Sequence, residues 1–168
     1  SPDTNTTAIN ELIDILSNGS ADINSSAIFF MGATNDIETG YGWDGNITTI
    51  KQQNGSMHPI ESASDITELH RKTGTGYEDF KNIYEYYKLA WTANAVVLSP
   101  DGNLTYYYNY RPWSADGVSY KDGNSALIMQ HVNTFQFMSI GSVVKIQVCV
   151  DTNITKDKYS ICKEKTIF

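Results

Sequence analysis

Basic side chains are scarce in this chain. It has 12 Lys and Arg against 19 Asp and Glu, a formal net charge of −7 over 168 residues. A surface that follows a phosphate backbone needs clustered Lys and Arg, so no nucleic-acid contact is expected. Long apolar runs are missing too: no stretch approaches the ~18 residues of a membrane span. No signal peptide is visible at Ser1, so any export signal is expected to have been removed or to lie outside this sequence. Only two cysteines and three histidines are present. No H-E-x-x-H, C-x-x-C pair, Gly-rich phosphate loop or G-x-S-x-G elbow occurs. With His58, His70 and His131 in unrelated contexts, no catalytic, metal or cofactor residues are assigned and an enzyme is not expected. Asp44-Gly-Asn46, Asp101-Gly-Asn103 and Asp122-Gly-Asn124 lack the spacing and closing Glu of an EF-hand, and turn chemistry explains them.

What is present is aromatic, β-branched and turn-rich. Tyr84 to Leu98, then Ser99-Pro-Asp-Gly-Asn103, then Leu104 to Tyr110 reads as a β-hairpin. Pairing about that turn puts Val96 and Leu98 on one face with Leu104, Tyr106, Tyr108 and Tyr110. A second strand pair is expected from Ala126 to Phe137 and Val143 to Val150. Ile9, Leu12, Ile13 and Leu16 recur at helical spacing over Ala8 to Leu16. Thr6 or Thr7 is the expected N-cap and Asn18-Gly19 the stop. Ala27 to Met31 reads as a buried strand. Gly32 to Asp79 is poor in pattern, too long for a bare loop, and expected to hide a strand or an insertion. Trp91, Trp113, Phe135, Phe137, Val144, Ile146 and Val148 are expected to share one core.

Charge is unevenly placed. Residues 1–144 carry seven basic and sixteen acidic side chains, whereas 145–168 carry five lysines and three acids. A solvated strand face is the plainer explanation, and a patch for an acidic partner the sharper one. Cys149 and Cys162 flank the turn-like segment Asp151 to Lys158. A hairpin centred there sets the two opposite each other, so a disulfide is expected if the chain is exported.

Seven N-x-S/T sequons begin at Asn5, Asn18, Asn24, Asn46, Asn54, Asn103 and Asn153. Five of them, Asn5, Asn24, Asn46, Asn103 and Asn153, have aspartate two residues earlier, where composition alone gives about one. The pattern looks like the extended acceptor of bacterial periplasmic N-glycosylation, which marks these five asparagines as candidate sites. Recurrent Asp-x-Asn turns explain it equally well.

Read in order, Ala27-Ile-Phe-Phe-Met-Gly32, Tyr41-Gly-Trp-Asp44, Ile83 to Ala93, Tyr107-Tyr-Asn-Tyr-Arg-Pro-Trp113, His131-Val-Asn-Thr-Phe-Gln-Phe137, Val148-Cys-Val150 and Ile161 to Phe168 resemble bacterial prepilin-type proteins with a cleavage and methylation N-terminus. The order is similar to the globular head of J-type minor pseudopilins of type II secretion. The resemblance implies one pilin-like domain over 1–168 of α+β class, mainly antiparallel with a short N-terminal helix. It implies a structural subunit of a pseudopilin fibre for protein secretion or DNA uptake. Other pseudopilin subunits would be its partners, and a hydrophobic helix, absent from this sequence, would anchor it to the inner-membrane secretion platform. It implies a periplasmic or cell-surface location. The alternative is a secreted or surface domain that binds glycan or a host protein.

Overall fold

The computed structural model describes residues 5–30, 57–75, 77, 83–114, 119–140, 143–152 and 159–167. One α-helix, α1 (Thr6–Ser17), opens the chain, and ten strands follow among the described residues. They are β1 (Ala27–Phe30), β2 (Met57–Ser62), β3 (Leu69–Arg71), β4 (Tyr87–Ala90), β5 (Ala93–Leu98), β6 (Leu104–Tyr110), β7 (Asn124–Met129), β8 (Val132–Ile140), β9 (Val143–Thr152) and β10 (Tyr159–Ile167). They form three sheets, ordered β3-β2-β1-β4, β5-β6-β7 and β10-β9-β8. Pairing is antiparallel between β1 and β2, β1 and β4, β2 and β3, β8 and β9, and β9 and β10.

This corrects the α+β, pilin-like expectation. Among the described residues the protein is β-rich, with three sheets and one 12-residue α-helix. Among the described residues the helical spacing of Ile9, Leu12, Ile13 and Leu16 folds as an α-helix, whereas Tyr77 to Trp91, ambiguous in sequence between helix and strand, contributes β4. From Tyr87 onward β-branched and aromatic residues alternate or cluster between Asp, Asn and Gly turns.

The chain forms two compact units. The first is Ser1–Asn94 with Tyr108–Asn124, and the second is Ala95–Tyr107 with Ser125–Phe168.

In the first unit, the N-cap of α1 lies one residue before the two threonines. Asn5 is the N-cap, its side-chain oxygen accepting from the Ala8 N–H at 3.0 Å. Asn18 ends the helix in the left-handed conformation, φ 53°, satisfying the Asp14 and Ile15 carbonyls. Ile13 faces inward and joins Ala21, Ile23, Ile28, Phe30 and Ile60 in the main core, with Ile9, Leu69, Tyr84, Tyr87, Leu89 and Trp91 packed around it. Ile60 is fully buried, and full burial of such a side chain stabilises by about 1.5–3 kcal/mol. A 3₁₀ turn at Ile23–Ser25 is closed by a reciprocal cap between Asp22 and Ser25. A smaller cluster sets Trp113 against Ala27. The Trp113 indole N–H donates to the Ser25 carbonyl at 2.8 Å and its ring meets Phe29 edge-on, centroids 6.1 Å apart. β2 and β3 are the strands expected to hide between Gly32 and Asp79. Of the isolated apolar side chains in that stretch, Ile60 lies in β2 and Trp43 lies outside the described residues.

The hairpin is as read at its turn and different at its ends. Pro100, Asp101 and Gly102 form the loop. The Gly102 N–H donates to the Ser99 carbonyl at 3.0 Å and the Ser99 N–H to the Asn103 carbonyl at 2.9 Å. Gly102 sits at φ 78°, the left-handed bulge position that a three-residue hairpin loop requires. The expected strand from Tyr84 is broken at Trp91-Thr92, because β4 pairs with β1 while β5 belongs to another sheet. The expected strand Ala126 to Phe137 is broken the same way. β7 joins β6 and β8 joins β9, and His131 turns the corner with φ 61°.

In the second unit, β9 and β10 pair without interruption from Thr152↔Tyr159 to Val144↔Ile167. β8 carries one irregularity at Asn133, between Val132↔Val150 and Thr134↔Cys149. The single shared core is therefore corrected. Trp113 is buried in the first unit, whereas Phe137, in β8 of the second, is 73% exposed.

Candidate functional site

The histidines do not make a centre. His58 is buried in β2, its ring 5.0 Å from that of Phe30, and burial lowers its pKa to about 4. His70 is exposed beside Glu68, Nε2 to Oε2 3.5 Å. His131 is exposed at the β7–β8 corner. Among the described residues no three His, Cys, Asp or Glu side chains are grouped as metal ligands. The two described Asp-Gly-Asn triplets serve turns. Asp101 and Gly102 close the hairpin, and Asp122 accepts from the Ser119 N–H in a reciprocal cap at Tyr120–Asp122.

A polar recess of about 670 Å³ lies in the second unit, bordered by Pro100, Asp101, His131, Val132, Asn133 and Asp151. Its backbone is knitted by Val132 N–H to Gly102 carbonyl, 2.9 Å, and Asp151 N–H to His131 carbonyl, 3.0 Å. The Asn133 amide, re-aimed by the bulge, donates to Asp151 Oδ1 and to Ser160 Oγ. The group presents carboxylate, amide and imidazole edges.

The sheet β10-β9-β8 has two unlike faces. Cross-strand partners share a face, so the register sorts them. One face carries Gln136, Gln147, the cysteine pair and the ion pair Lys145–Glu164 at 3.3 Å. A groove of about 550 Å³ runs beside it, lined by Gln136, Met138, Lys145, Gln147 and Glu164 among others. The other face carries Phe135 and Phe137 from β8, Val144, Ile146, Val148 and Val150 from β9, and Ile161 and Ile167 from β10. Lys163 and Lys165, opposite Val148 and Ile146, are the charges on this apolar face. Phe137, Ile161 and Ile167 are 73, 55 and 48% exposed, so the face stands open.

Helix α1 buries only one edge of its apolar arc. Thr6, Ile13 and Ser17 point inward, whereas Ala8, Leu12, Ile15 and Leu16 are exposed, Ile15 at 74%. The expected inward face of Ile9, Leu12, Ile13 and Leu16 is thus turned. The core takes Ile13 and part of Ile9, and leaves Leu12 and Leu16 outside.

Cys149 and Cys162 stand opposite each other in register, their sulfurs 2.12 Å apart, at disulfide distance. Of the five candidate glycan acceptors, Asn5 and Asn24 are exposed and Asn103 is half-buried behind the hairpin turn, while Asn46 and Asn153 lie outside the described residues. The Asn24 amide oxygen accepts from Ser62 N–H and Oγ at 2.9 and 3.1 Å, and Ser26, the sequon hydroxyl, is 1% exposed.

The sequence reading weighed a basic patch over 145–168 but did not place the open apolar surfaces on α1 and on β8–β10. One signal was available. Pairing β9 with β10 through the cysteines places Lys163 and Lys165 among the valines and isoleucines, where a closed core would not accept them.

No family model, curated protein or solved structure matches this chain. No helix among the described residues is long and apolar enough to cross a membrane.

Proposed function

We propose that this chain is an exported structural subunit that works by assembling with other subunits, in the manner of the head of a pseudopilin-type fibre protein in the periplasm or at the cell surface. Two observations support the reading. The first is the ordered set of phrases from Ala27 to Phe168. The second, which carries the assembly part, is the open apolar face of β8, β9 and β10, with Phe137 at its most exposed point. An apolar sheet face of this kind is stable in water chiefly when another surface covers it. The β-rich fold adds nothing specific to pseudopilins, so the reading stands on sequence order and surface.

The test is made in the source cell. Deleting the gene should abolish secretion or DNA uptake, and a photo-crosslinker at Phe137 should yield adducts with other fibre subunits. Normal secretion and uptake in the deletion strain, with adducts confined to the growth surface or a host protein, would replace this reading with that of a binding domain. The observation favouring that alternative is the recess around Asp101, His131, Asn133 and Asp151, whose paired amide and carboxylate edges suit the vicinal hydroxyls of a sugar.

A further inference from the structure

Three separate segments of the second unit meet at the polar recess: the β5–β6 turn, the β7–β8 corner and the end of β9. The bonds from the Val132 and Asp151 N–H groups tie their backbones together, so the border residues stand on a fixed frame. His131 is at the corner with φ 61°, and Asn133 is at the break in the β8 register. Asn133 uses its amide nitrogen on Asp151 Oδ1 and Ser160 Oγ, which leaves its carbonyl oxygen and Asp151 Oδ2 as acceptors. Among the described residues no hydrogen bond or ion pair engages the side chain of Asp101 or His131. The border is therefore rich in acceptors, with one imidazole that can also donate. Leu98 and Pro100 add apolar carbon to it.

We propose that this recess binds a neutral pyranose sugar. The inference goes beyond the assembly reading and does not need it, because every residue of the recess lies in one unit of one chain. A pyranose carries adjacent hydroxyls, each a donor and an acceptor, on a ring whose C–H faces are apolar. The two oxygens of the Asp101 carboxylate suit two adjacent hydroxyl donors in charge-assisted bonds. Asp151 Oδ2 and the Asn133 carbonyl oxygen suit a further one, and the His131 imidazole donates in return. Leu98 and Pro100 meet the C–H face. A volume of about 670 Å³ is that of a small-ligand site. Charge narrows the class. The border has two carboxylates and, among the described residues, no Lys or Arg. A uronic acid or a sugar phosphate is repelled there, and a neutral ring is not. Among the described residues no three His, Cys, Asp or Glu side chains are grouped to hold a cation in place of the sugar.

The test is NMR titration of the nitrogen-15-labelled chain, with a chelator present. The probes are the methyl glycosides of glucose, galactose, mannose and N-acetylglucosamine. The expected result is saturable amide shifts at Gly102, His131, Asn133 and Asp151 with at least one of them, at a dissociation constant of about 1–10 mM. Methyl glucuronide at neutral pH should bind about tenfold more weakly than the best neutral glycoside. Asp101→Asn, which keeps a turn-forming side chain, should narrow that gap, and Asn133→Ala should weaken the neutral sugar about tenfold. Lys163→Gln, outside the recess, should leave binding unchanged, and the amide spectra should show all variants folded. Absence of shifts at these amides with every glycoside at about 50 mM overturns the proposal. So does glucuronide binding as tight as that of the neutral glycosides. Calcium chloride alone reproducing the shifts, with the chelator omitted and the glycosides silent, would replace the sugar with a cation. Sugar binding by a chain that gives no fibre-subunit adducts in cells would remove the assembly reading and leave this one standing. Adducts without sugar binding would do the reverse.

Discussion

A few side chains in the first unit carry consequences out of proportion to their size. His58 is 2% exposed, and burial holds its pKa near 4, below the 6.5 of an exposed imidazole. Between those values the unfolded chain binds a proton that the folded chain refuses. The stabilisation from neutral His58 is therefore complete above about pH 6.5 and is lost as pH falls toward 4. Thermal or urea unfolding should show a loss of about 2 kcal/mol on moving from pH 7.5 to 5, absent in His58→Gln. Asp65, held low by the Thr67 N–H and hydroxyl, acts only below the ordinary carboxylate range, outside that window. Gly123 is a second such position. A Cβ there would stand 2.5 Å from the Tyr108 carbonyl oxygen, a backbone atom with little room to move. Gly123→Ala should cost about 1–3 kcal/mol in urea unfolding. Phe137→Ala, at an exposed position, should cost under about 1 kcal/mol, whereas Ile60→Ala should cost about 2–5. Equal losses for Phe137 and Ile60 would mean the β8 face is covered within the chain.

Elements were legible in the sequence where a local rule was sufficient. Helix α1 followed from the spacing of Ile9, Leu12, Ile13 and Leu16, and the hairpin turn from Pro100-Asp-Gly102. The β9–β10 pairing followed from the cysteines about the Asp151–Lys158 segment, with Cys149 opposite Cys162. What failed was everything decided by a distant partner. Nothing between Tyr84 and Leu98 announces that the strand changes sheets at Trp91-Thr92, because that depends on β1 being present to take β4. The apolar arc of α1 runs from Ile15 round to Ile13, and its spacing does not say which part of that arc the sheet will cover. The sheet beneath took Ile13, and Leu12 and Leu16 were left out. Phe135 and Phe137 read as core because alternation shows that a strand has two faces, not that anything covers either. For the same reason the candidate interaction surface showed in the sequence only as the lysine excess over 145–168, without the apolar face beside it. At this scale the cross-strand cysteine pair also makes a prediction. Replacing both Cys149 and Cys162 by Ser should destabilise the second unit by about 3 kcal/mol in the chain-entropy model. Non-reducing mass analysis of exported protein should find no free thiol.

Across the whole molecule, the glycan acceptors divide by when they can be reached. A transferase that joins an asparagine amide nitrogen to the sugar of a polyisoprenyl-pyrophosphate donor must approach the amide and the sequon hydroxyl together. At Asn24 the folded first unit prevents this. Ser26 is buried with its hydroxyl on the Asp22 carbonyl, the Asp22 carboxylate is held by the Ser25 N–H, and the Asn24 amide oxygen serves Ser62. At Asn5 both the asparagine and Thr7 are exposed, and the structural bond to be disturbed is one helix cap, worth about 1 kcal/mol. Asn18 and Ser20 are exposed too, but that sequon lacks the aspartate two residues earlier, so it forgoes the charge-assisted contact a basic group on the transferase would make. With transferase and donor, folded protein should therefore be modified at Asn5 ahead of Asn18 and not at Asn24. Denatured protein, or protein modified during export, should gain Asn24. Glycopeptide mapping of the two preparations decides it. Equal occupancy of Asn24 in both would show that the Ile23–Ser25 turn opens readily in the folded state, and empty sites throughout would leave Asp-x-Asn turn chemistry as the whole meaning of the motif.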